Sequence, residues 1–198
     1  NYPYACTEQL SSKWFSLKMV QYIQQHYPAI ANYFSALRSH QTESKLNENS
    51  ALTELSAEEM PWIRDIKRDS EKLAALSKIF DENNTFEIAE IEKKLLKQQL
   101  ETGAFPWFEG GRANAYISIR LLEIWGKVLK LDHRLVSNDM RKIAEKLTQY
   151  LDKDSLIVDK KASSSMALDY LYARHYWQGL YPLDTKQQAL LTDKISQS

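Results

Sequence analysis

Cys6 and Gln9 stand three positions apart at the head of an apolar-periodic run, and that pair could make an acyl-transfer centre. A helix that starts just after Cys6 would set the sulfur against unpaired N–H groups and the positive end of its dipole, which favours a thiolate. A side chain three residues on, in the first turn, can fold back beside a residue at the helix entrance. A thiolate held against the Gln9 carboxamide carbon can expel ammonia and close an internal thioester, an acyl group stored in the chain. Once that bond is uncovered, a lysine amine or a hydroxyl on another molecule can attack the Gln9 acyl carbon. The link to the target is then covalent, and Cys6 leaves as a free thiol. The stored bond survives only while water is kept away. Tyr2 and Tyr4, and Trp107 and Phe108 from a distant loop, are the aromatic side chains available to cover it. By itself the spacing favours a plainer reading, a buried structural cysteine, because free cysteine packs as a small apolar residue.

The elements that would position this pair are helical. Leu10, Trp14, Leu17, Val20 and Ile23 recur at helical spacing and predict a helix from Thr7 to about Tyr27. Pro28 breaks it, and a short helix follows from Ala29 to about Arg38. Residues 39–56 are polar and weakly periodic, which reads as a long flexible loop. Helical pattern returns at Pro61, with Trp62, Ile66, Leu73, Leu76, Ile79 and Phe80 as buried positions. Thr85 is the expected N-cap of a helix that carries Ile88, Ile91, Leu95, Leu96 and Leu100, with Gly103 as its C-cap glycine. A compact loop, Ala104 to Arg112, holds Phe105, Trp107 and Phe108 with Pro106, Gly110 and Gly111. Further helices are expected over Ala113–Leu131, Asp139–Leu151 behind a Ser137 N-cap, Ser163–Trp177 and Thr185 to about Ile195. The one strand-like run, Ser155 to Asp159, is short. The fold class is therefore all-α, and several helices are apolar around much of their circumference, as in a layered helical array.

Composition narrows the functions. The chain has 198 residues, 26 Lys+Arg against 26 Asp+Glu, and a formal net charge of zero, which argues against binding nucleic acid through phosphate neutralisation. One cysteine makes neither an internal disulfide nor a cysteine-rich zinc site. His26, His40, His133 and His175 show no metal-ligand spacing, so no metal is expected. Glu58 with Glu59, or Glu90 with Glu92, could suggest the paired carboxylates of a toroid glycosidase; exposed helix charges explain them better. No apolar run reaches the length that spans a bilayer. The chain begins at Asn1 rather than Met and reads as a piece of a longer protein, so its lack of a targeting segment says nothing of compartment.

The run Tyr2-Pro3-Tyr4-Ala5-Cys6-Thr7-Glu8-Gln9 resembles the thioester motif of bacterial alpha-2-macroglobulins. Three further blocks resemble large members of that family from Bacteroides-type bacteria. They are Glu59 to Asp65, the Leu76–Phe80 run ending at Asp81, and Gly103 to Arg112 followed by Tyr116 and Ile117. The blocks stand in family order and span most of the chain. The resemblance implies that residues 1–198 are the N-terminal part of a thioester domain, an α/α toroid of terpenoid-synthase-like fold. It implies Cys6 and Gln9 as the thioester, with Tyr2, Pro3, Tyr4 and Glu8 supporting the motif. Trp107, Phe108, Gly110, Gly111 and Arg112 would form a shield or loop at the toroid face. It implies a parent that traps target proteases covalently through lysine amines after bait cleavage, a single-use endopeptidase inhibitor with no cofactor and no nucleic-acid partner. It also implies a periplasmic or cell-envelope location, with many members lipid-anchored, and flanking domains in the same parent chain. Ala5 stands where the family carries Gly, and a positive φ there would strain it and disfavour the bond. The rivals are a family member whose thioester never forms, acting as a binding module, and a carbohydrate-active toroid enzyme.

Overall fold

The computed structural model describes residues 6–30, 32–33, 84–154 and 164–196. Six longer helices lie among them: α1 (Thr7–His26), α2 (Asn84–Gln98), α3 (Ala115–Leu131), α4 (Asn138–Leu151), α5 (Ser164–His175) and α6 (Thr185–Ser196). A 3-10 turn, His133–Leu135, joins α3 to α4. The described residues hold helices, turns and one isolated bridge between Pro106 and Ala113, with no strand, so the all-α expectation holds for them. The expected loop at 39–56, the helix around Pro61, the blocks 59–65 and 76–81 and the strand-like run 155–159 lie outside the described residues.

The chain divides into two units, one of Asn1–Met19 with Phe86–Ser198 and one of Val20–Thr85. In the second, Tyr22 stacks on His26 with centroids 4.2 Å apart and meets Tyr27 edge-on. The first unit carries Cys6, Gln9 and the loop 104–112.

Local chemistry explains most helix ends there. Asn114 caps α3 by accepting the Ile117 N–H at 2.9 Å. Ser137 caps α4 by accepting the Met140 N–H at 3.2 Å, as its place before the apolar pattern predicts. Two expectations are corrected. Thr85 is not an N-cap, because α2 has already begun at Asn84. Gly103 is not a helix C-cap either: α2 ends at Gln98, and Gly103 closes a separate turn by donating to Leu100 O at 2.8 Å. Its φ of +92° suits glycine, and a Cβ there would drive into the Lys146 carbonyl of α4.

Apolar stripes then pack the helices. α3 lies against both α4 and α5, and α5 against α6. Ile117, Leu121, Leu122 and Trp125 of α3 are buried with Met140, Ile143 and Leu147 of α4 and Ala167, Tyr170 and Ala173 of α5. Gly126 lets Tyr176 and Trp177 close on α3, and the Trp177 indole donates to Leu122 O at 2.9 Å.

Two polar clusters sit among these stripes. Glu92 is a half-buried hub rather than the solvated helix charge expected of it. Its carboxylate accepts from the Trp14 indole and the Ser137 hydroxyl, each at 2.8 Å, and pairs with Lys18 at 3.4 Å. Burial lowers the Lys18 pKa against the partly offsetting pull of Glu92. Asp152, just past α4, holds the buried Arg174 through two bonds of 3.1 Å and accepts from the Tyr170 hydroxyl. Burial, then the Asp152 carboxylate, raises the Tyr170 phenol above its ordinary value.

Candidate functional site

Helix α1 begins in the middle of the chemically suggestive run, immediately after Cys6. Such a start leaves the first N–H groups without intrahelical partners. Cys6 and Gln9 satisfy two of them reciprocally. The Cys6 N–H donates to Gln9 Oε1 at 3.2 Å, and the Gln9 N–H donates to Cys6 Sγ at 3.3 Å. This is the hydrogen-bond pattern of a capping box, with cysteine in the place usually held by Ser or Thr. Each side chain therefore reaches the other residue's backbone N–H within the first turn. The two side chains differ in exposure: Cys6 is buried at 7%, whereas Gln9 is exposed. Glu8, half-buried in the same turn, adds negative charge at the positive end of the helix dipole.

The loop Gly103–Arg112 reaches this turn from almost a hundred residues away. Phe105 is its anchor: fully buried, edge-on to Trp125 at 5.6 Å, with its N–H on Ser118 Oγ at 3.0 Å and its carbonyl taking the Asn114 N–H at 2.9 Å. Phe108 to Gly111 form a tight turn closed by Gly111 N–H to Phe108 O at 2.9 Å. Gly110, at φ +78°, occupies the position where a type II turn demands glycine. Thr7 joins loop to helix. Its N–H donates to Trp107 O at 3.0 Å and its hydroxyl to Pro106 O at 2.7 Å. The same hydroxyl lies 3.1 Å from the Gln98 side-chain amide at the end of α2. A hydroxyl has one proton, and the shorter contact takes it. A Gln98 amide that presents its NH2 group completes a chain from Gln98 to Thr7 to Pro106.

The expected site residues are thus partly gathered. Cys6 and Gln9 touch, and the loop abuts their turn through the carbonyls of Pro106 and Trp107. The Trp107 ring stacks on Tyr116 with centroids 6.3 Å apart and stays 37% exposed; Phe108 is 51% exposed, and Arg112 is exposed. Tyr2, Pro3, Tyr4 and Ala5 lie outside the described residues. Thr7, fully buried, is the residue that sequence reasoning passed over. Its only signal was a hydroxyl inside the motif, because its partners are remote in sequence.

A groove of about 490 Å³ runs between α3 and α5, lined by Tyr116, Arg120, Glu123, Asp169 and Tyr172 among others. Glu123 is held there by Arg120 at 2.5 Å and Lys127 at 2.6 Å. Among the described residues no three His, Cys, Asp or Glu side chains group as a metal site, and no helix is long and apolar enough to cross a membrane. Comparison with protein-family models, curated proteins and solved structures finds no match.

Proposed function

We propose that this chain is the N-terminal part of a thioester domain from a bacterial alpha-2-macroglobulin-like protein, an α/α toroid in which Cys6 and Gln9 form a covalent trap for proteases. The observation that carries the reading is the reciprocal pair of hydrogen bonds between Cys6 and Gln9 at the head of α1. It rests also on the resemblance of Tyr2 to Gln9, and of the blocks that follow, to that family.

The chemistry follows from that pairing. The Cys6 sulfur attacks the Gln9 side-chain carbonyl carbon; a C–S bond forms, the C–N bond breaks, and the thiol proton leaves with ammonia. The negative charge that develops on Oε1 in this step falls on the atom to which the Cys6 N–H already donates. A donor fixed in advance on a developing oxyanion lowers the barrier without reorganisation. In trapping, a protease lysine amine attacks the same carbon, the C–S bond breaks, and the amine proton passes to the departing sulfur. Each bond reacts once, so the protein is an inhibitor rather than a turnover enzyme. No cofactor enters either step. The partners are target proteases and the remaining domains of the parent, in the periplasm or cell envelope.

The test is the intact mass of the full-length parent before and after methylamine. The expected result is a mass one ammonia below that of the sequence, then a methylamine adduct with release of one thiol. A parent that carries the unmodified mass and a free Cys6 before any treatment overturns the reading and leaves a binding module. Gln9 is exposed in the 198-residue chain, so there the bond meets water, and that chain is expected to carry a free Cys6 thiol. The alternative, a carbohydrate-active enzyme, calls for two carboxylates converging in one cavity; in the groove between α3 and α5 these would be Glu123, which pairs with Arg120 and Lys127, and Asp169.

A further inference from the structure

We propose that Thr7 is a positioning residue that latches the Gly103–Arg112 loop to the Cys6–Gln9 turn, so that release of the loop and uncovering of the Cys6 sulfur are one event. Its significance as regulation rests on the thioester reading above; its geometry does not.

Thr7 is the first residue of α1 and is fully buried. It makes two contacts to consecutive carbonyls of one loop, N–H to Trp107 O and hydroxyl to Pro106 O. Its neighbour in the chain is the sulfur-bearing residue, whose N–H and Sγ are both committed to Gln9. The loop therefore cannot withdraw from the helix start without stripping partners from the first turn. The Thr7 N–H has no intrahelical acceptor to fall back on, so loss of Trp107 O leaves it bare. The Gln98 side chain at the end of α2 approaches the same hydroxyl to 3.1 Å. The remainder of the loop is held at one end and open at the other. Phe105 plugs it into the core, the Gly110 turn shapes its tip, and Trp107 rests on the exposed Tyr116 ring. Trp107 and Phe108 are both partly exposed, so a surface that presses on them acts directly on the segment that Thr7 holds. A displacement transmitted through two hydrogen bonds would free the Cys6 turn without unfolding α1.

The experiment measures alkylation of Cys6 by iodoacetamide under native conditions in the 198-residue chain, treated first with methylamine so that every thiol is free. Thr7→Val keeps the shape and removes the hydroxyl; Thr7→Ser keeps the hydroxyl. Alkylation of Thr7→Val is expected to run about ten-fold faster than wild type, the change in local opening that loss of one buried hydrogen bond produces. Thr7→Ser is expected to stay within about two-fold, since the restored hydroxyl closes the latch. Far-ultraviolet circular dichroism and thermal midpoints verify that the variants share the wild-type fold. If Thr7→Val does not fold, native-state hydrogen exchange of the wild-type chain replaces it: the Thr7 amide, whose acceptor is Trp107 O, is expected to open with the rate constant that limits Cys6 alkylation, and a Thr7 amide that opens independently of alkylation overturns the latch. Equal rates for wild type, Thr7→Val and Thr7→Ser overturn it as well. Failure of the thioester reading shows separately, as a parent mass insensitive to methylamine, and does not disturb the alkylation comparison.

Discussion

Replacing the two members of the Cys6–Gln9 pair by residues that keep or break the cap separates helix capping from acyl chemistry. Cys6→Ser retains a side-chain acceptor for the Gln9 N–H and offers a better one, because oxygen accepts more strongly than sulfur. Gln9→Glu retains an oxygen for the Cys6 N–H and adds negative charge at the positive end of α1, worth about 0.3–1 kcal/mol at an exposed position. Both variants are therefore expected to match or exceed wild-type stability. Cys6→Ala and Gln9→Ala each delete one arm of the cap, which costs about 0.5–2 kcal/mol. The weak sulfur acceptor puts the lost hydrogen bond of Cys6→Ala at the low end of that range. In a chain of this length 1 kcal/mol moves the thermal midpoint by about 2–4 °C. Thermal unfolding followed by circular dichroism reads these shifts. Methylamine uptake by the full-length parent, followed by intact mass, reads the chemistry. There the order inverts: Cys6→Ser and Gln9→Glu, the stable pair, are expected to lose amine uptake entirely, since one lacks the sulfur and the other the ammonia leaving group. A large drop in midpoint for Cys6→Ser or Gln9→Glu would refute the capping geometry. Continued amine uptake by either would refute the thioester.

Other predictions rest on the surrounding packing. Gly103→Ala is expected to cost more than Gly110→Ala: both force alanine to a positive φ, about 1–2 kcal/mol, but only Gly103 also faces a backbone carbonyl, that of Lys146. Denaturant midpoints that rank them the other way would remove the close-approach argument. Glu92→Ala is expected to destabilise by about 3–5 kcal/mol, because it strands the Trp14 indole, the Ser137 hydroxyl and the buried Lys18 charge together. A urea melt within 1 kcal/mol of wild type, a bound set by ordinary surface substitutions, would show that Glu92 is no hub. At high pH the sign is fixed by the raised phenols: Tyr170 above its usual value, and Tyr150 pushed up to about 12, chiefly by burial. Between the unfolded phenol value near 10 and the folded values, the native state binds more protons than the unfolded one. Stability is then complete below about pH 10 and falls as pH rises through that window. Tyr170→Phe is expected to flatten the fall, and an unchanged slope in melts taken across that window would assign it elsewhere.

What was legible in the sequence was what lies within one helical turn. The i, i+3 spacing of Cys6 and Gln9 is enough to bring two side chains together once a helix starts at Thr7, and the apolar period of Leu10, Trp14 and Leu17 says that it does. Ser137 before an apolar run fixed a helix start in the same way, by a bond from Met140 three residues on. Where local signals were ambiguous they misled. Thr85 and Gly103 had the right residue types for caps, yet α2 began one residue before the first and ended five before the second. The reason is that a cap is a competition among neighbouring positions, and packing of Ile88, Ile91 and Leu95 decided where the helix lies.

Only the tertiary structure decided the rest. The Thr7 hydroxyl meets Pro106 across 99 positions and Gln98 across 91, and Glu92 meets Ser137 across 45. No periodicity records such meetings, because they depend on how whole helices pack rather than on the step from one residue to the next. For the same reason Glu92 read as a surface charge until Trp14, Lys18 and Ser137 closed around it, and Thr7 read as a bystander until a loop settled on it. Sequence alone determined that a sulfur and a carboxamide would be neighbours; the fold decided what holds the loop beside them, since only a packed core can carry a distant carbonyl to a buried hydroxyl.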